Sequence, residues 1–373
     1  MMLRHAPWPT AVAVAALLAA CTDLGNGPGP LTRSFVMGFT DFPSAATQAA
    51  VDDAYRVIRE DGDLSVYHYD GGVPWQEAAA GTPYHSNIVQ HFADQLARKP
   101  ATHRLLLTTT PINFLRNGLA PHLGAASNEP LAAPFDTLSF GDSLVIRAFT
   151  AHCERLVQTF QPDYFAYAIE ANLVAAKAPG EWAGFLVLAE SVYVTMKRNH
   201  PDLPVFATVQ LETLYADLPG NGAAVRDLLE WSDVLAISTY PYTVVADPAQ
   251  IPGDYFTALS ALAGGRPFAI AETGWPAETV TAPYPVDIPE TPDRQATYVQ
   301  RILGDVNGME GIFVNWFFTR DYDDFWESDF KNSPDAALVR LWKDDGLYAG
   351  DGSPRPALAD WRTMLSRTNR GGF

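Results

Sequence analysis

Cysteine is nearly missing from this chain: its 373 residues include two, Cys21 and Cys153. A disulfide framework is therefore excluded, and the fold has to be held by core packing. Basic residues are also scarce, with 25 Lys and Arg against 43 Asp and Glu and a net charge of −18. A chain so acidic repels a phosphate backbone, which argues against nucleic acid as a partner. The longest purely apolar stretch near the N-terminus, Ala11 to Ala20, is too short to cross a bilayer as a helix. No Gly-x-Gly-x-x-Gly turn follows a strand-like run, and there is no Gly-x-Ser-x-Gly elbow and no His-x-x-x-His. Dinucleotide, serine-hydrolase and zinc-protease chemistries thus lack sequence support, and neither a cofactor nor a metal is expected. What remains is a chain that is 47% hydrophobic, with nine Trp, fifteen Tyr and twenty Phe. That is enough for a large core, with aromatic rings to spare for a cleft that binds an uncharged ligand.

The N-terminal residues read as a targeting segment. Met1 to Thr10 carries Arg4 and His5 with no acid, the apolar run follows, and Leu18-Ala19-Ala20-Cys21 closes it. This resembles a bacterial lipoprotein signal. The resemblance implies removal of residues 1–20, a lipid on Cys21, anchorage to the membrane through that lipid, and a place in the cell envelope. Thr22 after the cysteine points to the outer membrane or cell surface. Residues 21–34, rich in Gly and Pro, read as a flexible tether. Cys153 lies in a helical pattern and is expected to serve as a small buried hydrophobe.

From Phe35 onward, short apolar runs alternate with longer amphipathic ones, which is the pattern of a parallel sheet with crossover helices. Eight runs read as strands: 35–40, 64–69, 104–110, 164–169, 204–209, 234–239, 267–271 and 311–317. Helical patterns fall near 44–59, 86–99, 142–160, 183–200, 222–231, 255–263, 292–307 and 356–365. Eight of each is the count of a closed barrel, so the expected fold class is α/β, a single (β/α)8 TIM barrel over residues 35–368 with a short tail at 369–373. An open doubly wound sheet is the competing topology, and the missing dinucleotide fingerprint speaks against it.

In such a barrel the residue after each strand faces the mouth, where sites are built. The mouth positions are polar or aromatic, and they supply the candidate ligand-binding residues Asp41, His68, Asp70, Asn113, Asn172, Gln210, Tyr240, Trp275, Asn315 and Trp316. Among the mouth residues, two glutamates, Glu170 and Glu272, each directly close an apolar run. A lone charge at such a place is costly unless it is solvated, paired or used. Two carboxyls across one cleft are what glycoside cleavage requires. The Asp321–Asp324 stretch with Glu327 fits no EF-hand spacing and reads as a solvated acidic loop. Trp75, Trp182 and Trp326 are either cleft platforms or core.

Phe268-Ala269-Ile270-Ala271-Glu272-Thr273-Gly274-Trp275-Pro276 resembles the seventh-strand nucleophile segment of clan A glycoside hydrolases. Val234 to Tyr242 is similar to their sixth strand, above all that of the family 53 endo-β-1,4-galactanases. Gly346-Leu347-Tyr348 through Leu358 resembles the approach to their last helix. The resemblance implies a retaining hydrolase acting on a β-linked oligo- or polysaccharide, with Glu272 as nucleophile and Glu170 as acid and base. It also implies that Tyr240 holds the nucleophile and that Trp316 floors the sugar site. Two positions depart from the pattern. Ile169 stands where the clan has an asparagine before the acid, and the second strand ends in Tyr67-His68-Tyr69-Asp70 without the usual arginine. Those departures leave a second expectation open, a catalytically silent glycan-binding lipoprotein on the same barrel. In either case a monomer with a carbohydrate ligand is expected.

Overall fold

The computed structural model describes residues 31–371 apart from position 217, so the expected signal segment and lipid-bearing Cys21 lie outside the described residues. Eight strands close into a parallel barrel in chain order: Val36–Thr40, Leu64–Tyr69, Arg104–Thr109, Tyr164–Ala168, Val205–Gln210, Leu235–Thr239, Phe268–Thr273 and Phe313–Trp316. The last pairs with the first, Val36 opposite Phe313 and Phe39 opposite Trp316. The expected (β/α)8 barrel is therefore the fold. Period-two alternation sorts each strand into two layers. Val36, Leu64, Val66, Leu106, Tyr164, Ala166, Phe206, Ala236, Ala269 and Phe313 pack together in one cluster that fills the interior. Their neighbours, among them Met37, Tyr67, Leu107, Phe165, Val209, Ile237, Ile270 and Val314, pack outward in a larger cluster with the helices.

The crossover helices follow the sequence pattern, the longest being Ser143–Phe160, Trp182–Asn199 and Pro292–Gly308. Cys153 is fully buried inside the first of these, as a small hydrophobe should be. The helix expected at 255–263 shrinks to the short turns Thr257–Leu259 and Ser260–Ala263. Pro252 and Gly253 precede it, and Gly264 and Gly265 follow with φ of 59° and 81°, so neither end can be extended. The last helix, Pro356–Leu365, locks onto the first, Gln48–Asp61. Trp361 Nε1 donates to the Asp61 carbonyl at 2.7 Å, while the buried Asp61 carboxylate accepts from Tyr348 at 2.7 Å and from Arg362 at 2.5 Å.

Below the barrel, Thr32–Arg33 pairs in parallel with Thr368–Asn369. The end of the expected tether and the start of the expected tail are thus joined at the face opposite the mouth. Arg33 also reaches Asp63 at 2.5 Å.

Gly38, in the first strand, lies opposite Leu64. A methyl group on Gly38 would collide with the Leu64 carbonyl oxygen, so the ladder admits no side chain there. Gly38→Ala is expected to lower unfolding stability by about 1–3 kcal/mol through overpacking, measured as a reduced denaturant midpoint with an unchanged slope.

Candidate active site

Glu170 and Glu272 reach the mouth because two strands break their own alternation. In the seventh strand Phe268 and Ile270 face the helices, so strict period two would turn Glu272 outward as well. A register shift intervenes: Ile237 pairs with Ile270, but Ser238 pairs with Glu272. The same irregularity shows against the eighth strand, between Ile270 and Thr273. One extra residue at this bulge turns Glu272 inward, beside inward-facing Ser238. The fourth strand has a matching shift between Ala166 and Ala168, and Glu170 follows two residues later with φ of 50°. A non-glycine residue in that left-handed region costs about 1–2 kcal/mol, and here the surroundings hold it. The Glu170 N–H donates to Thr208 Oγ1 at 2.8 Å, and the Ile169 N–H donates to Thr110 Oγ1 at 3.3 Å.

The two carboxyls have different companions. Glu170 Oε2 accepts from Arg116 Nε at 3.2 Å and Nη2 at 2.9 Å, and its Oε1 accepts from Ser238 Oγ at 2.8 Å. Arg116 comes from the long loop after the third strand. There Ile112 and Leu119 bridge as a small hairpin, and Arg116 itself sits at φ 59°. Its backbone and its guanidinium both donate to the Asn113 carbonyl, at 2.9 and 3.2 Å. Glu272 is 7% exposed and accepts from the Tyr240 hydroxyl at 2.6 Å. Burial first, and then the neighbouring Glu170 charge, push the Glu272 carboxyl up to about 8. That mutual influence places the two acids in one electrostatic neighbourhood, which Asp70 and Arg116 share. Burial lowers the proton affinity of His68, which keeps this imidazole neutral near pH 7. It stands 3.9 Å from Asp70, too far for a direct hydrogen bond.

Of the residues named from sequence, Glu170, Glu272, Tyr240, His68 and Asp70 converge on this mouth. The others are engaged elsewhere. Trp316, expected to floor the site, is fully buried on the helix side against Trp361 and Tyr298, and its Nε1 donates to the Asp345 carbonyl at 2.8 Å. Alternation explains the difference: Phe313 and Asn315 face inward, Val314 and Trp316 outward. Phe317 takes the mouth position instead, its ring 5.7 Å from His68 and 6.2 Å from both Tyr240 and Trp342. Trp275 is core, donating to Glu290 at 2.8 Å. Asn315 is buried within the barrel on Thr40 Oγ1 and the Ala271 carbonyl. Asp41 turns to the helices, accepting from Tyr55 and from Gln95 at 2.8 Å each. Asn172 clamps the backbone of Gln210 through both side-chain atoms, so it is not free to replace the asparagine missing at Ile169. Gln210 itself serves Glu212 and the Thr213 N–H. Asn113 closes the Arg116 turn with Asn117.

Trp75 is core, stacked on Phe135, while Trp182 and Trp326 are half-buried. In the acidic loop Asp323, Asp324 and Glu327 are exposed as expected, and only Asp321 departs. Asp321 is 2% exposed and paired with Arg355, and the Glu278, Asp321 and Asp344 oxygens gather within 4.8 Å with Arg355, Arg340 and Lys343 as their counter-ions. Sequence reasoning missed Arg116, Ser238, Phe317 and Trp342. Only Ser238 carried a signal, since it shares the inward parity of Ala236.

The chain is a (β/α)8 barrel with two carboxyls at its mouth, and its fold is similar to that of solved glycoside hydrolases of families 5 and 53. Among solved structures, the exo-β-1,4-mannosidase Op5Man5 from Opitutaceae bacterium strain TAV5 superposes with a TM-score of 0.62 at 13% identity, over 92% of this chain and 62% of that one. The GH53 catalytic domain of Ignisphaera aggregans gives 0.56 at 15% identity, over 90% and 98%. A GH5_18 protein of Bifidobacterium longum subsp. longum ATCC 55813, solved in complex with Manb1-4GlcNAc, gives 0.62 at 12% identity, over 89% and 78%. The chain thus spans about 62% of the mannosidase's length. At these identities the likeness is one of fold. No protein-family model matches the chain, and no characterised protein matches it by sequence.

The raised Glu272 carboxyl makes stability depend on pH. A folded-state value near 8 against an ordinary 4.5 means that the native state holds this proton more tightly than the unfolded chain does. Its contribution is full below about 4.5 and is lost as pH rises through about 8. Glu272→Gln, uncharged throughout, should match wild type near pH 4.5 and exceed it by on the order of a few kcal/mol at pH 9. Denaturant unfolding of both proteins at the two pH values is the measurement. A gap of the opposite sign at pH 9 would contradict the reading.

Proposed function

We propose that this protein is a retaining glycoside hydrolase acting on a β-linked oligo- or polysaccharide. The observation that carries the reading is the pair of strand irregularities that turn Glu170 and Glu272 into one mouth, where each charge acts on the other. In the reaction, Glu272 attacks the anomeric carbon and the bond to the leaving oxygen breaks. Glu170 protonates that oxygen. Water then gives its proton to Glu170, attacks the same carbon and releases Glu272 from the glycosyl ester.

A Glu272 carboxyl raised by burial and by the neighbouring Glu170 charge brings a proton into the site, and the scheme needs one acid as nucleophile and the other as proton donor. In the ligand-free site burial leaves that proton on Glu272. Positive charge developing on the sugar ring favours its ionised form, and the proton then belongs on Glu170. Tyr240 holds Glu272 in place, while Arg116 and Ser238 orient Glu170. The β-linkage is supported by the fold neighbours, which include an exo-β-1,4-mannosidase and β-glucuronidases. Trp342, half-buried beside Phe317 and Tyr240, offers a ring to a sugar, and the acidic chain suits a neutral glycan.

The same proposal places the enzyme in the bacterial cell envelope as a monomer held by a lipid on Cys21. Leu18-Ala19-Ala20-Cys21 supports the anchor. Within the described residues, Thr32–Arg33 lies on the face opposite the glutamates.

A screen of aryl glycosides and of β-linked galactans, mannans and glucans tests this reading. Glu272→Gln should lower kcat on the order of 10⁴-fold or more. Glu170→Gln should cost about 10²–10⁴-fold on poor leaving groups and far less on 2,4-dinitrophenyl glycosides, which need no acid. In wild type, kcat/KM should fall above pH about 8, where the proton held on Glu272 is lost to solvent and none is left for the leaving oxygen. A wild type inert on every substrate would leave the silent glycan-binding barrel in its place.

A further inference from the structure

The hairpin that delivers Arg116 has a firm stem and a loosely held tip. In the stem, Ile112 and Leu119 pair and are both buried. The Ala120 N–H donates to the Pro111 carbonyl at 2.6 Å, and Trp75 Nε1 donates to the Ala120 carbonyl at 2.9 Å. The tip, residues 113–118, bonds mainly to itself. The Asn113 N–H donates to the Gly118 carbonyl at 2.9 Å, Arg116 donates to the Asn113 carbonyl, and the Asn113 side chain exchanges hydrogen bonds with Asn117. Among the described residues, the one hydrogen-bonded partner of this tip outside itself is Glu170. Phe114 and Leu115 are 40% and 62% exposed and belong to no core cluster, and Arg116 is in left-handed backbone. Such a tip has little packing to lose and some strain to shed on opening. The Arg116–Glu170 pair is what holds it down.

A latch of this kind depends on charge. Glu170 is faced by Arg116 from the hairpin, Ser238 from the sixth strand, Glu272 from the seventh and His68 from the second, with Asp70 acting on Glu272 and His68 in turn. Burial keeps His68 neutral, so Arg116 supplies the positive charge in this set. Its ion pair exists while Glu170 is a carboxylate and is lost when Glu170 carries a proton. A retaining hydrolase alternates Glu170 between those two forms. From this we propose that residues 113–118 form a flap that selects water as the acceptor, lifting as Glu170 takes its proton and closing once that proton has been given up. Glu170 meets the leaving oxygen, so whatever departs or arrives along that line passes the hairpin. With the flap down on the glycosyl ester of Glu272, water still enters, gives its proton to Glu170 and attacks the anomeric carbon. A bulkier alcohol is held off. With the flap up the alcohol follows the same steps: its proton goes to Glu170, its oxygen bonds to the anomeric carbon and the bond to Glu272 breaks. A new glycoside then leaves in place of the free sugar.

The acceptor role rests on the hydrolase reading, whereas the latch is tested without turnover. Hydrogen exchange of the full chain is followed at the backbone amides of 113–118. Arg116→Gln and Glu170→Gln should each speed exchange there about tenfold or more, with the rest of the barrel unchanged. The double variant should exchange no faster than either single one, because both remove the same bond. Arg116→Lys, which keeps the charge without the fork, should recover part of the protection. Equal exchange in wild type and both single variants, additive effects in the double variant, or no recovery with lysine overturns the latch. The ratio of transfer to hydrolysis is then measured on an aryl glycoside that wild type cleaves, with methanol and with benzyl alcohol as acceptors. Arg116→Gln should raise the benzyl alcohol ratio about threefold or more and the methanol ratio by less. A benzyl alcohol ratio that stays put, or that rises in step with methanol, overturns the acceptor role and leaves the hydrolase reading intact. If wild type cleaves no glycoside, the hydrolase reading and the acceptor role fall together, and the exchange rates alone decide whether the latch exists.

Discussion

A single extra residue in the seventh strand governs what this barrel can do. The ladder on either side is regular, with Ile237 opposite Ile270 and Thr273 opposite Trp316, and between them the chain absorbs one residue more than its neighbours. Without it, Glu272 would follow Ile270 into the helix layer, away from Glu170. With it, Glu272 lies beside Ser238, which serves Glu170 from the adjoining strand. The matching shift in the fourth strand works the same way. A closed parallel barrel has no free edge at which to lose register, so two local irregularities are transmitted rigidly to the mouth.

Once the carboxyls meet, their charges have to be managed in a chain with a large excess of acid. Arg116 is the answer on one side. Holding both Arg116 and Glu170 in left-handed backbone costs about 1–2 kcal/mol each, whereas leaving a largely buried carboxylate without its partner costs about 3–5 kcal/mol. The pairing is therefore the stronger effect, and the strain persists because it places the charge. Glu272 has no cation bonded to it and is left to burial and its neighbour, which favour the protonated form. The second strand ends without an arginine, and the guanidinium at this mouth comes instead from a loop and is bonded to Glu170.

Below and behind the site, further carboxyls are neutralised without any role at the mouth. Glu212 is raised to about 7 by burial and is held by Thr239, Tyr255 and the Tyr240 N–H. Asp321 is paired with Arg355 despite its surface-loop composition. These bonds tie the loop after the fifth strand to the Tyr240 backbone and the loop after the eighth to Arg355.

Much of the architecture was legible in one dimension. Eight apolar runs of strand length, punctuated by motifs such as Asn199-His200-Pro201 and Ala263-Gly264-Gly265, determined strand number, order and closure, because period-two hydrophobicity and turn residues act locally. The same local logic marked Glu170, Glu272 and Tyr240 as mouth residues. It misjudged Trp316 by one position, since parity at a strand end depends on where the strand stops and on bulges that only the neighbours' register reveals. It could not find Arg116, because nothing in residues 110–140 says which side chain a loop folds back toward a charge 54 positions away. Sequence by itself determined the barrel and the identity of its two acids, through patterns carried by adjacent residues. Which way those acids face and what pairs with each were decided by tertiary structure, because these depend on contacts between segments whose relative placement no local pattern encodes.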